Sequence, residues 1–146
     1  MAEGGCECGA VRYRMSGDPI FVNCCHCRDC QKITGSAFAV NAMIEADRIE
    51  ILEGQPSVEA GAARCSRCKA LLWAEHPQFG NRIKFVRVGT LDEGERFSPD
   101  AHFFVRSKHP WVVIPEGLPA FEALPGDGDP PLLSENSAAR VDAARR

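Results

Sequence analysis

Val11-Arg12-Tyr13-Arg14-Met15 alternates apolar and charged side chains without a break. A period of two is that of an extended strand with one dry face and one wet face. Phe38, Val40, Ala42 and Ile44 repeat the pattern around Asn41. Ile49–Leu52, Ala70–Trp73, Arg82–Val88, His102–Arg106 and Trp111–Ile114 are further strand candidates, separated at many points by turn formers such as Gly17-Asp18-Pro19, Gly54-Gln55-Pro56 and Ser98-Pro99-Asp100. Only one short helical turn is expected before the C-terminal region, near Cys27–Ile33, stopped by Gly35. Many short strands at close spacing predict a mainly β domain.

The chain has 146 residues, enough for one core but not two, and 45% of them are hydrophobic, which excludes a wholly disordered chain. The longest apolar runs, Trp111-Val112-Val113-Ile114 among them, fall far short of the ~20 residues of a bilayer-spanning helix. Met1-Ala2-Glu3-Gly4-Gly5 has neither a basic nor an apolar leader region, so a cytoplasmic protein is expected. A net charge of −3 argues against a general nucleic-acid-binding surface and leaves room for a local basic pocket. From Pro115 onward the composition shifts to proline and glycine. Residues 123–146 read as a flexible tail after a domain spanning 1–122. Ser134–Arg146 could form a helix capped by Ser134, one that alone in water would be marginal.

Eight cysteines in so short a chain ask for a purpose. Disulfides are disfavoured in a reducing compartment, and Cys6-x-Cys8, Cys27-x-x-Cys30 and Cys65-x-x-Cys68 sit too close in pairs to staple distant segments. Close pairs suit zinc, because one turn points two sulfurs at one ion. Cys6 and Cys8 with Cys65 and Cys68 make a closed, structural set of four. Gly9 follows the first pair, where a left-handed turn is easy. Lys69 follows the second, where the same turn would cost ~1 kcal/mol. Cys25, Cys27 and Cys30 form a C-x-C-x-x-C set of three. Spacing alone leaves it open between a catalytic site with one vacant position and a second closed site completed by His26, Cys24 or a carboxylate. Cys24 and Cys25 are consecutive and point to opposite faces of an extended backbone, which argues against both binding one metal; Cys24 is a buried apolar residue, a redox-sensitive thiol or a spare ligand, with burial favoured because free cysteine is among the most buried residue types.

Taken in order, these motifs resemble one family. Gly4-Gly5-Cys6-x-Cys8-Gly9 before an Arg12-Tyr13 strand, Cys25-His26-Cys27-Arg28-Asp29-Cys30-Gln31-Lys32 followed by Gly35-Ser36-Ala37-Phe38, Cys65-x-x-Cys68, Gly89-Thr90-Leu91-Asp92 and Lys108-His109-Pro110-Trp111-Val112 are similar to the glutathione-dependent formaldehyde-activating enzymes, a family that includes centromere protein V. The likeness covers about 4–122. It implies a β-tent of packed antiparallel sheets built around two zinc ions per chain: a structural one on Cys6, Cys8, Cys65 and Cys68, and a catalytic one on Cys25, Cys27 and Cys30. The implied reaction is that of a carbon–sulfur lyase, an S-(hydroxymethyl)glutathione synthase, joining glutathione or a similar thiol reversibly to formaldehyde or another small aldehyde, with no nucleic-acid or membrane partner. Lys69, where the family carries glycine, and the additional Cys24 are departures from the pattern.

Among the charged residues of the central motif, His26 is a candidate proton shuttle, set against a supporting role or simple exposure, and Arg28 and Lys32 are candidate contacts for the thiol's carboxylates, set against solvated charge. Trp73 and Trp111 read as packing residues, and His76, His102 and His109 show no ligand spacing. Two other functions stay open on sequence: a zinc enzyme acting on a different thiol adduct, and a non-catalytic zinc-stabilised binding module.

Overall fold

The computed structural model describes all 146 residues. The alternation at Arg12–Met15 has the expected consequence: Tyr13 and Met15 are fully buried, while Arg14 lies outward between Glu3 and Glu50. This strand, β2 (Arg12–Met15), pairs antiparallel with β1 (Ala2–Gly5) and β5 (Ile49–Glu53) in a three-stranded sheet. Gly4 is required there, since a Cβ would stand 2.5 Å from the Thr90 carbonyl oxygen and 2.8 Å from the Tyr13 ring.

The larger sheet contains β3 (Phe21–Cys25), β4 (Ala39–Glu45), β6 (Ser57–Glu59), β7 (Ala62–Arg64), β8 (Leu71–His76), β9 (Gly80–Arg87) and β10 (Ala101–Phe103), in the order β10-β3-β4-β9-β8-β7-β6. All its pairings are antiparallel except β3 with β10. Register explains its two faces. Val22, Ala42, Val86, Trp73 and Ala63 stand opposite one another across five strands and face the small sheet, where Trp73 meets Tyr13 edge-on at 5.3 Å. One residue along each strand, the other face carries a polar row, Asn23–Asn41–Arg87, between an apolar row of Phe21, Met43 and Phe85 and a row of Phe103, Cys25 and Ala39. The mainly β fold of packed sheets is thus present.

Three expectations are corrected. Trp111–Ile114 is not a strand; Pro110 and Pro115 bracket it, each lacking a backbone donor, and Trp111 and Val113 are exposed. The strand at His102 ends at Phe103, because Phe104 adopts a left-handed backbone (φ 56°, ψ 42°) that turns the chain into a 3-10 turn. The tail is not free along its length. Helix α2 (Glu135–Arg145), capped by the Ser134 hydroxyl, which accepts from the Ser137 amide at 3.1 Å, docks on the polar-row face of the larger sheet. Val141 enters a core of Ile20, Phe21, Met43, Ile83 and Ala101, and Arg140 forks onto both carboxylate oxygens of Glu45 at 2.8 and 2.6 Å. An isolated helix of this length is marginal, so its order comes from docking. Val141→Ala is expected to cost roughly 1.5 kcal/mol or more, at ~0.8 kcal/mol per buried methylene, measured from the denaturant midpoint.

Candidate metal centres and the cleft beside them

Cys6 and Cys8 lie on the turn after β1, Cys65 and Cys68 on the turn between β7 and β8, so the first cysteine group joins the small sheet to the large one. All four sulfurs lie within 4.8 Å of one another. The Cys6–Cys8 and Cys8–Cys65 sulfurs are 3.6 and 3.8 Å apart. A tetrahedral ion bound at ~2.3 Å needs sulfur–sulfur edges of about 3.8 Å, whereas a disulfide needs about 2.05 Å. Backbone amides supply the charge compensation a thiolate set requires: Val11 N–H donates to Cys6 Sγ at 3.3 Å, and Arg67 and Cys68 N–H donate to Cys65 Sγ at 3.4 and 3.5 Å. The donor set therefore fits a metal ion.

The two turns are built alike. Gly9 N–H donates to the Cys6 carbonyl and Lys69 N–H to the Cys65 carbonyl, with φ of 82° and 68°. Lys69 thus adopts the left-handed geometry for which glycine is suited. Lys69→Gly should raise stability by up to ~1 kcal/mol, the relieved backbone strain less the added unfolded-state entropy, as read from the midpoint of metal-loaded protein.

The second group is positioned by helix α1 (Arg28–Thr34). Cys25 ends β3, Cys27 caps the helix, its sulfur accepting from Cys30 N–H at 3.3 Å, and Cys30 follows one turn later; Gly35 closes the helix in a left-handed conformation. The three sulfurs lie within 4.8 Å of one another, and none belongs to the first group. Hydrogen bonding from Cys25, opposed by burial and helped by Cys27 and the Arg87 guanidinium, pulls the Cys30 thiol down to about 6, while Cys25 moves strongly up. Three thiols in mutual reach are again a donor set suited to an ion, here with three sulfurs and no fourth.

Cys24 faces inward and is 1% exposed, and burial raises its thiol to about 12, in keeping with an inert packing residue. The His26 ring is also fully buried, away from the cleft, with Nε2 2.9 Å from His102 Nδ1. Burial, then His102 and Lys108, lowers His26 to about 4, and burial lowers His102, so the surroundings disfavour the charged form of both rings. His26 Nδ1 has no partner. The tautomer that donates from Nε2 to His102 leaves Nδ1 a bare acceptor, which costs less than an orphaned N–H. His26 is therefore not exposed, and its ring meets His102 rather than the cleft. Although Cys24, His26 and His102 group closely, the short His26–His102 separation is that of a hydrogen bond.

Arg28 and Lys32 are exposed on α1; Arg28 engages the Gln31 side chain, and neither lines the cleft on which the three thiols open. That cleft, about 390 Å³, is lined by Cys25, Cys27 and Cys30 together with Asp29 and Arg87 and a set of aromatic side chains. Sequence reasoning missed five residues here. Arg87 Nη1 donates to Asn41 Oδ1 at 2.8 Å, and Asn41 donates to Asn23 Oδ1 at 3.1 Å. Gln31, buried, donates to the carbonyls of His26 and Ser107 at 2.8 and 2.9 Å and ties the thiol loop to the chain beyond β10. His102 lies 76 residues from His26 in sequence. Arg87, Asn41, Asn23 and His102 meet their partners through the assembly of the strands, and Gln31 through the packing of its loop on the chain after β10, so no spacing in the sequence marks these contacts.

A mainly β fold with one group of four thiols between its sheets and a group of three opening on a cleft defines a class of cysteine-rich proteins whose thiols could hold metal ions. The profile of one family, glutathione-dependent formaldehyde-activating enzyme, matches residues 1–107. The chain belongs to that family. A relative from Halomonas elongata, named "Putative glutathione-dependent formaldehyde-activating enzyme", is 28% identical over 128 residues, covering 78% of this chain and 81% of the relative. A Rhodobacter sphaeroides protein of known crystal structure shares the fold with a TM-score of 0.50 at 17% identity, covering 62% of this chain and 88% of that one. No helix of the structure is long and apolar enough to cross a membrane.

Proposed function

We propose that this chain is a zinc-dependent carbon–sulfur lyase of the cytoplasm that joins glutathione, or a similar thiol, reversibly to formaldehyde or another small aldehyde. One observation carries the reading: Cys25, Cys27 and Cys30 line the aromatic cleft, whereas the four thiols of the first group lie outside it. Cys6, Cys8, Cys65 and Cys68 would hold a structural zinc, and Cys25, Cys27 and Cys30 the catalytic one. The catalytic unit is residues 1–122, braced by α2.

The reaction forms one C–S bond and turns the carbonyl into a hydroxyl; the thiol proton ends on the oxygen, and nothing is oxidised or reduced. The chemistry zinc supplies with three cysteine ligands is depression of a bound thiol's pKa from about 8.5, since three thiolates leave the ion little power to polarise a carbonyl. The chain's own residues do the rest. Cys27 fixes its sulfur by capping α1, and Gln31 and the His26–His102 pair hold the loop backbone in place. Arg87, anchored through Asn41, places one positive charge beside Cys30. Exchange NMR of formaldehyde with glutathione is the test. Added protein should broaden the exchanging resonances well beyond the uncatalysed mixture; an unchanged exchange rate favours a different adduct or a non-catalytic binding module.

A further inference from the structure

The walls of the cleft are aromatic. Phe79 and Phe85 stand 5.7 Å apart on one side, with the His76 ring 6.1 and 6.2 Å from them, and Phe103, Phe104 and Leu124 line the other. These walls are stiff. Phe103 stacks on Phe21 at 6.4 Å and packs on Phe121 at 5.9 Å, and Arg145 of α2 lies 5.6 Å over Phe79. Phe104 is held in its left-handed conformation, costly for a bulky side chain, by its amide to the Ala123 carbonyl at 3.1 Å and by the Ser107 amide on its own carbonyl at 3.0 Å. Strain of this kind is retained where surrounding structure enforces it, commonly at ligand sites.

Most of the polar lining is engaged within the protein. Asn23, Asn41 and Arg87 form one chain of hydrogen bonds that leaves Arg87 Nε without a partner, Glu75 is paired with Lys84, His76 Nδ1 accepts the Gln78 amide, and Asp29 adds a negative charge. Arg87 is the one Lys or Arg on the lining. Glutathione brings two carboxylates and an ammonium group, and a formaldehyde carbon brings no substituent. Neither would use five apolar and aromatic walls around the thiols.

Resting on the lyase reading above, we propose that the molecule transformed here carries an apolar, aryl-sized group next to its reacting sulfur or its carbonyl carbon, seated between Phe79/Phe85 and Phe103/Phe104. The adduct forms as before: thiol sulfur bonds to carbonyl carbon, and the thiol proton goes to oxygen.

Two measurements on the zinc-loaded full chain test this. The first is 19F NMR binding of 4-fluorobenzyl alcohol, which cannot form the adduct, to wild type, Phe85→Leu and Phe104→Leu. The second is the exchange rate of three pairs: glutathione with formaldehyde, benzyl mercaptan with formaldehyde, and glutathione with benzaldehyde. Binding of the alcohol should weaken ~10-fold in either variant, and one aryl-bearing pair should be accelerated ~10-fold more than glutathione with formaldehyde, the scale on which apolar pockets discriminate. Which aryl pair gains identifies the component carrying the group. Failure of the alcohol to bind wild type, or fastest turnover of glutathione with formaldehyde, overturns the proposal. Binding that depends on Phe85 while no pair is accelerated overturns the lyase reading instead. Amide NMR spectra confirm that each variant is folded; if Phe85→Leu is not, Phe104→Leu decides.

Discussion

Cys65→Ser protein will not fold. Cys65 is 1% exposed, its sulfur accepts two backbone amides, and it stands 3.8 Å from Cys8 across 57 residues of chain. Through this group the turn between β1 and β2 is fastened to the turn between β7 and β8, and so the small sheet to the far side of the large one. A structural zinc in such a set is worth ~10–16 kcal/mol at neutral pH, against a whole-domain stability of ~5–15 kcal/mol. Losing one ligand in four removes most of that contribution and leaves a buried hydroxyl among thiols. Circular dichroism and amide NMR of Cys65→Ser should show an unfolded or collapsed chain. A cooperative unfolding transition close to that of wild type would mean that the four thiols do not hold the fold.

Cys27→Ala has the opposite character. The domain should stay folded, one metal ion should be lost, and catalysis of thiol–aldehyde exchange should vanish. Cys27 is a half-buried cap on a seven-residue helix, so its removal costs about 1 kcal/mol of capping. The effect on rate is larger. At pH 7 a thiol of ordinary pKa near 8.5 is about 3% ionised, so thiolate formation alone accounts for ~30-fold before any contribution from orientation. Exchange NMR together with an amide spectrum checks both halves. A folded Cys27→Ala protein that still catalyses at the wild-type rate would remove the three-thiol group from the mechanism.

The cysteine groups were legible in the sequence because C-x-C, C-x-x-C and C-x-C-x-x-C gather their sulfurs by local turn geometry, and two such pairs make up a set of four. Strands β2, β4, β5, β8 and β9 were legible from their side-chain patterns, whereas β1, β6 and β7, three or four residues each and made mostly of small or charged residues, show too little of a period. Strand β3 was not legible either, because Phe21–Cys25 is buried on both faces and does not alternate. Helix α2 and its Ser134 cap were legible, but its docking was hidden by its polar sequence; one buried valine, an ion pair to Glu45 and the Ser137 hydroxyl donating to the Ile20 carbonyl hold it. Arg87, Asn41 and His102 reach the cleft or its support through strand register, a property of the assembled sheet.

The division of the cysteines into a centre that folds the protein and one that opens on the cleft is tested most directly by counting metal. Zinc per chain, measured by elemental analysis alongside a free-thiol titration, should be two in wild-type protein and one in folded Cys27→Ala. No zinc, with thiols paired as disulfides, or the same loss of metal and fold on replacing Cys27 as on replacing Cys65, would contradict it.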